Sequence, residues 1–311
     1  MEKQATREAY GQALEALGAA NENVVVLDAD LSKSTKTNLF QKKFPERFFD
    51  MGIAEQNMMG VAAGFAATGK VPFASTFAVF ATGRAYDQIR NTICYPQLNV
   101  KIAATHAGIT VGEDGGSHQA LEDINLMRGL PNMTVLVPAD GPEAYKAVMA
   151  AAAYDGPVYI RLGRSAVPTV TDPDADFVIG KGKLLREGTD VTLIACGMMV
   201  AVALDAAELL AAEGVNAAVI DMSTIKPIDR ALICAWAEKT GAVVTAEEHN
   251  IIGGLGSAVS EVLALECPTP LEMVGVEDVF GESGTAAALV EKFGLTKEHI
   301  AEKAKKAIAR K

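Results

Sequence analysis

The chain has 311 residues, half of them hydrophobic and 22% charged, with a formal net charge of −11. That length suits two domains of ordinary size, and the composition excludes a disordered chain. The acidic balance argues against nucleic acid as a partner, because neutralising phosphates needs a basic face.

The opening "MEKQATREAYGQ" has no signal-peptide pattern, and no run approaches the roughly 18 apolar residues of a membrane helix. A soluble, cytoplasmic protein without a membrane partner is expected. Residues 23–30, "NVVVLDAD", read as a buried strand ending in two acids, and 47–52, "RFFDMG", as a second. A helical run follows at 54–69, then a strand at 71–76, a helix through 83–93 and a strand at 99–105. Residues 133–140 form another strand, 141–153 its helix, and 156–164 the last strand of the set. Continuous apolar strands separated by helices imply a parallel sheet covered on both faces.

Composition changes at 165–177, "SAVPTVTDPDADF", which is rich in Pro, Asp and Thr and has no helical period. It reads as a linker. Four more strands follow, at 190–197, 215–222, 241–248 and 271–278, with helical runs at 201–214, 254–265 and, amphipathic with a basic end, 296–311. The expected architecture is α/β, in two domains that each hold a mainly parallel sheet flanked by helices: 1–164, a linker at 165–188, and 189–311.

Ligands of open parallel sheets sit beyond the carboxyl ends of the strands. There the first domain carries Asp28 and Asp30, residues 50–55, residues 75–80, the loop 105–119, and Arg161 with Arg164. The second carries Glu247, Glu248 and His249. The loop "THAGITVGEDGGSHQ" (105–119) holds two of the four histidines, His106 and His118, around Glu113, Asp114 and four glycines. No zinc-type spacing occurs in it, and no metal ligands are assigned. Its groups suit the hydroxyls of a polyol, and Arg7, Arg161 and Arg164 suit a phosphate. Glu55 starts the helix at 54–69. It is either an ordinary acid at a helix N-terminus or, leading the apolar face of Met58, Met59, Ala62 and Ala66, a partly buried one. Burial without a cation would raise its pKa into a range useful for proton transfer. Phe77 and Phe80, three apart at a strand end, are either core or an apolar slot for an aromatic ring. "GGLGSA" (253–258) lacks the dinucleotide spacing and reads as a glycine turn into a helix. The four cysteines, Cys94, Cys196, Cys234 and Cys267, lack metal spacing and are expected to be buried free thiols.

Several segments together resemble the C-terminal half of transketolase: "ATHAGITVGEDGGSHQALED" (104–123), "RGLPNMTVLVPADGPE" (128–143), "ADLSKS" (29–34), "MGIAEQNMMGVAAGFAATG" (51–69), "STFAVF" (75–80) and "EEHNIIGGLGSAV" (247–259). The resemblance implies thiamine diphosphate as cofactor. It implies that Glu55 holds a proton at the aminopyrimidine ring nitrogen, that Phe77 and Phe80 hold that ring, and that Asp30 lies near the thiazole. His106, Asp114 and His118 match residues that contact sugar hydroxyls and assist proton transfer. Arg7, Ser34 and Arg164 match the phosphate-binding set. A third aromatic of the family falls at Gly83, leaving a more open slot or one filled by Tyr86. The family's diphosphate-binding domain, with its GDG motif and its Mg2+ or other divalent metal, has no counterpart here. The resemblance therefore implies the C-terminal subunit of a split transketolase. Such a subunit would work with a separate N-terminal, diphosphate-binding subunit in a heterotetramer, moving a two-carbon ketol unit between sugar phosphates. The alternatives are a deoxyxylulose-phosphate synthase-like enzyme, the β subunit of a 2-oxo acid dehydrogenase, and a non-catalytic partner subunit.

Overall fold

The computed structural model describes residues 3–311. The first sheet has seven strands in the order Thr224–Lys226, Thr134–Leu136, Val158–Arg161, Lys101–Thr105, Val71–Phe77, Val24–Asp28 and Phe48–Asp50. All neighbours are parallel except the first pair. Val24–Asp28 and Lys101–Thr105 are buried at every position, as expected of strands covered on both faces. One cover is the helix Thr6–Ala20 packed on Gly141–Ala153; the other is Glu55–Ala67 with the irregular helical stretch that begins at Phe80. Because the strands run parallel, Asp28, Phe77, Thr105 and Arg161 all end at one edge.

The second sheet has five strands in the order Leu271–Val276, Val243–Asn250, Val191–Ala195, Ala217–Asp221 and Lys183–Arg186, only the last antiparallel. Met199–Ala212 and Lys297–Ile308 pack on one face through Ala203, Ala207, Leu210, Ala301 and Ala304. Arg230–Thr240 and Leu255–Glu266 pack on the other, in a core that runs without a break into the first sheet. Two mainly parallel sheets, each flanked by helices, are thus present as the sequence implies. Among the described residues no helix is long and apolar enough to cross a membrane.

Three details lie outside the sequence reading or depart from it. The edge strand of the first sheet comes from Thr224–Lys226, far along the chain. The stretch 165–177 is tied down: Ala166–Pro168 pairs with Lys3–Ala5, and the Asp140 carboxylate accepts from the backbone of Val170 and Thr171 at 2.8 and 2.7 Å. Cys234 and Cys267 are not free thiols. Their Cα atoms stand 5.7 Å apart and they form a disulfide that ties the helix Arg230–Thr240 to the residue just past the end of Leu255–Glu266, while Cys94 and Cys196 remain free and buried.

Candidate active site

The loops at the carboxyl edge gather a compact group of side chains. Val71–Phe77 delivers the ring of Phe77, and Lys101–Thr105 next to it delivers His106. The imidazole of His106 lies on the Phe77 ring with centroids 3.9 Å apart and planes 24° from parallel. Phe80 stacks beside Phe77 at 5.9 Å and 16°. His118 presents its plane edgewise to both rings, at 6.3 and 5.3 Å. One wall is thus aromatic and apolar, with imidazoles on its rim.

His106 takes a positive φ of 57°, a turn that few non-glycine residues make. Its Nδ1 lies 2.9 Å from the Thr105 hydroxyl. Burial pushes the imidazole down to about 3, with Arg7, Arg164 and His118 adding repulsion. It is therefore neutral at ordinary pH, able to donate from one nitrogen and accept at the other.

Glu55 opens its helix with a carboxylate only 2% exposed. The apolar face of its helix does bury Glu55, and a half-exposed cation lies against it on one side. Arg84 Nη1 donates to Oε1 at 2.9 Å and to Oε2 at 3.0 Å. The same guanidinium stands 4.6 Å from the centroid of Phe80. At Gly83 a Cβ would meet nothing within 4 Å, so no side chain of this chain fills the space beside it. Tyr86 packs into the main core, and Arg84 is the side chain that stands over Phe80. Sequence periodicity hides Arg84 because Phe80–Arg84 winds as a π-helix, whose wider turn shifts which residues share a face.

A second group lies on the same edge. Arg7 donates through Nη1 to the Ser34 carbonyl at 2.8 Å and through Nε to the Arg164 carbonyl at 3.2 Å. Ser34 is therefore held by its backbone and its hydroxyl is not used in that contact. Arg164 reaches Glu113 and Asp114 at 3.7 and 3.8 Å. Asp30, exposed at φ 60°, donates its N–H to Asp50 Oδ1 at 3.2 Å. The loop carrying Asp30 and Ser34 hangs on buried Asp28, which accepts from Leu31 N at 2.6 Å and from the hydroxyls of Thr35 and Thr37 at 2.7 and 2.8 Å. Burial nonetheless raises the Asp28 carboxyl to about 6.

Arg161, grouped by sequence with the phosphate cations, is not available for that work. It is buried and bonded to Asp123 at 2.8 and 3.2 Å and to the Glu248 carbonyl at 2.9 Å. Burial opposes ionisation of Asp123, yet Arg161 and His249 hold its carboxyl below the ordinary value. Glu248 accepts from Thr110 N at 2.7 Å, and Glu247 caps the helix Leu255–Glu266 through Leu255 N and Gly256 N. These acids and His249 form a buried seam between the two sheets rather than a second site. A small, partly open cavity of about 30 Å³ beside the seam, lined by Thr6, Thr110, Arg161 and Glu248 among others, has room only for water and touches none of the aromatic group. Among the described residues no group of three or more His, Cys, Asp or Glu is arranged to hold a metal ion.

Residues 2–170 match the family model "Transketolase, pyrimidine binding domain", and residues 180–300 match "Transketolase, C-terminal domain". A putative transketolase C-terminal section of Methanocaldococcus jannaschii is 52% identical over 96% of this chain and 94% of its own length. A 6-deoxy-6-sulfo-D-fructose transketolase subunit of a Clostridium species is 45% identical over 100% and 97%. Human transketolase is 41% identical over 97% of this chain but only 48% of its own length. Among solved structures, one described as "Split gene transketolase, inactive beta4 tetramer" superposes with a TM-score of 0.92 at 62% identity, covering 98% of each chain.

Proposed function

Since the chain belongs to the transketolase family, we propose that it is the C-terminal subunit of a split, thiamine-diphosphate-dependent transketolase. It transfers a two-carbon ketol unit from a ketose phosphate to an aldose phosphate, together with a separate diphosphate-binding subunit. One observation carries the reading: Glu55, Phe77, Phe80, His106 and His118, far apart in sequence, converge on one edge of the first sheet.

The donor and acceptor chemistry fits the pyrimidine end of the cofactor. A buried carboxylate suits a ring nitrogen that carries a proton, and near-parallel Phe77 and Phe80 suit a flat ring. When bound, thiamine diphosphate supplies a nucleophilic carbon and an electron sink. Glu55 holds and moves the proton at the ring nitrogen. His106, neutral, and His118 would contact substrate hydroxyls and exchange protons with them, and Asp114 would fix a further hydroxyl. Arg7, Ser34 and Arg164 take the phosphate. Asp30 would be the acid near the thiazole. The diphosphate and its magnesium, or another divalent metal, are held mainly by the partner subunit, in a heterotetramer of two chains of each kind. Support for the two-subunit reading comes from the relatives that this chain spans almost end to end, which are named as a C-terminal section, a subunit and a split-gene product.

Product analysis tests the reaction class. Xylulose 5-phosphate and ribose 5-phosphate should give sedoheptulose 7-phosphate with the assembled enzyme. Turnover of pyruvate in its place would point to a 2-oxo acid dehydrogenase or a deoxyxylulose-phosphate synthase-like enzyme, and silence with both to a non-catalytic subunit.

A further inference from the structure

Both oxygens of the Glu55 carboxylate are claimed by one nitrogen of one side chain, Arg84 Nη1. The two ends of this ion pair differ sharply in exposure: Glu55 is 2% exposed and the Arg84 side chain 50%. The carboxylate is enclosed, while half of the Arg84 side chain already faces solvent, the direction in which the guanidinium would move. Nothing crowds that movement at the neighbouring residue, because a Cβ at Gly83 would meet no atom within 4 Å. The π-helical turn Phe80–Arg84 also sets the guanidinium over Phe80, 4.6 Å from the ring centroid. A single cation therefore covers a carboxylate and an aromatic face together.

Those are the two features that the proposed function gives to an aminopyrimidine ring. A protonated ring nitrogen and a guanidinium N–H are donors of the same kind, and each gains most from the same carboxylate. A flat heterocycle and a guanidinium plane also seek the same face of Phe80. Resting on that reading of the site, we propose that Arg84 is an internal competitor for the pyrimidine seat, which must leave Glu55 and Phe80 before the cofactor's aminopyrimidine takes them. Physical sense can be made of such a residue. A buried carboxylate without a partner is strongly unfavourable, so a cation that pairs with Glu55 keeps the subunit stable before it is loaded. Because half of the Arg84 side chain already faces water, the guanidinium is resolvated as it leaves, so displacing it costs less than breaking a pair buried at both ends. Arg84 thus trades affinity for stability, and it slows loading.

The test is equilibrium and stopped-flow binding of thiamine diphosphate, with magnesium, to the complex that the tagged chain forms with its partner subunit, comparing wild type, Arg84→Gln and Arg84→Lys. Loss of a charge-assisted competitor should make Arg84→Gln bind about tenfold tighter and associate faster, with Arg84→Lys between it and wild type. The cofactor-free Arg84→Gln complex should meanwhile melt at a lower temperature than wild type. Unchanged, weaker or slower binding by Arg84→Gln, with wild type binding normally, overturns the proposal and leaves the site reading standing. A wild-type complex that does not bind thiamine diphosphate overturns the site reading and the proposal with it.

Discussion

The imidazole of His106 lies flat on the ring of Phe77, 3.9 Å between centroids, and stays neutral there. Burial, with Arg7, Arg164 and His118, takes it to about 3 from an ordinary value of 6.5. Between those values the unfolded chain binds a proton that the folded chain does not. Stability from this site is full above pH ~6.5 and falls as pH drops towards 3. The expected NMR result is a set of His106 ring signals that do not titrate between pH 5 and 8; a midpoint near 6.5 would refute it.

Asp123 and Arg161 tie the two sheets together where water does not reach, at 0% and 6% exposure. Asp123→Ala leaves a buried guanidinium without its counter-charge and should destabilise the chain by about 3–5 kcal/mol. Glu8→Ala removes an exposed partner of Lys36 and should change stability by only about 0–1 kcal/mol. Urea unfolding of the two variants checks the contrast, and equal midpoints would contradict it.

Asp28 acts on the site through the loop it anchors. Asp28→Asn places an amide where Leu31 N, Thr35 and Thr37 expect a carboxylate, and so loosens the segment carrying Asp30 and Ser34. Loss of one charged hydrogen bond corresponds to roughly tenfold, expected mainly as a higher KM for the ketose phosphate with kcat less affected. Steady-state kinetics decide it; a loss confined to kcat would mean that the loop does not set substrate binding.

The disulfide gives a count. Unfolded without reductant, the chain should expose two thiols, Cys94 and Cys196, and after reduction four. Burial raises the Cys94 thiol to about 12 and Cys196 upward as well, so both should react slowly in the folded protein. Four thiols by mass spectrometry after alkylation without reductant would contradict the pairing.

Much of this was legible because parallel strands collect polar residues at one edge. Runs such as "NVVVLDAD" announce both a buried strand and the acids at its end, and the order of such runs implies two α/β sheets. What the sequence hides has local causes. The helix Thr6–Ala20 has an apolar face of Ala9, Ala13, Leu14 and Leu17, diluted by Gly11 and Gly18. Those glycines lower helix propensity, but a Cβ at Gly11 would meet the Lys36 carbonyl at 2.7 Å and one at Gly18 would strike the Phe44 ring. Thr224–Lys226 is a three-residue strand, too short for any period to show. Arg161 reads as one more cation at a strand end, and only tertiary packing reveals that Asp123 consumes it. Arg84 is concealed by a π-helical turn. Which of the neighbouring cations and acids pair is a property of the folded edge, not of spacing.

The most direct measurement is a ketol-transfer assay on the complex retained by this chain from its own cells, run beside the chain alone and beside a complex carrying Glu55→Ala. All three receive thiamine diphosphate, magnesium, xylulose 5-phosphate and ribose 5-phosphate. Sedoheptulose 7-phosphate from the wild-type complex alone is the predicted result. Product from the isolated chain, or product at the wild-type rate from the Glu55→Ala complex, would contradict the assignment of half the site, and of its proton-holding carboxylate, to this chain.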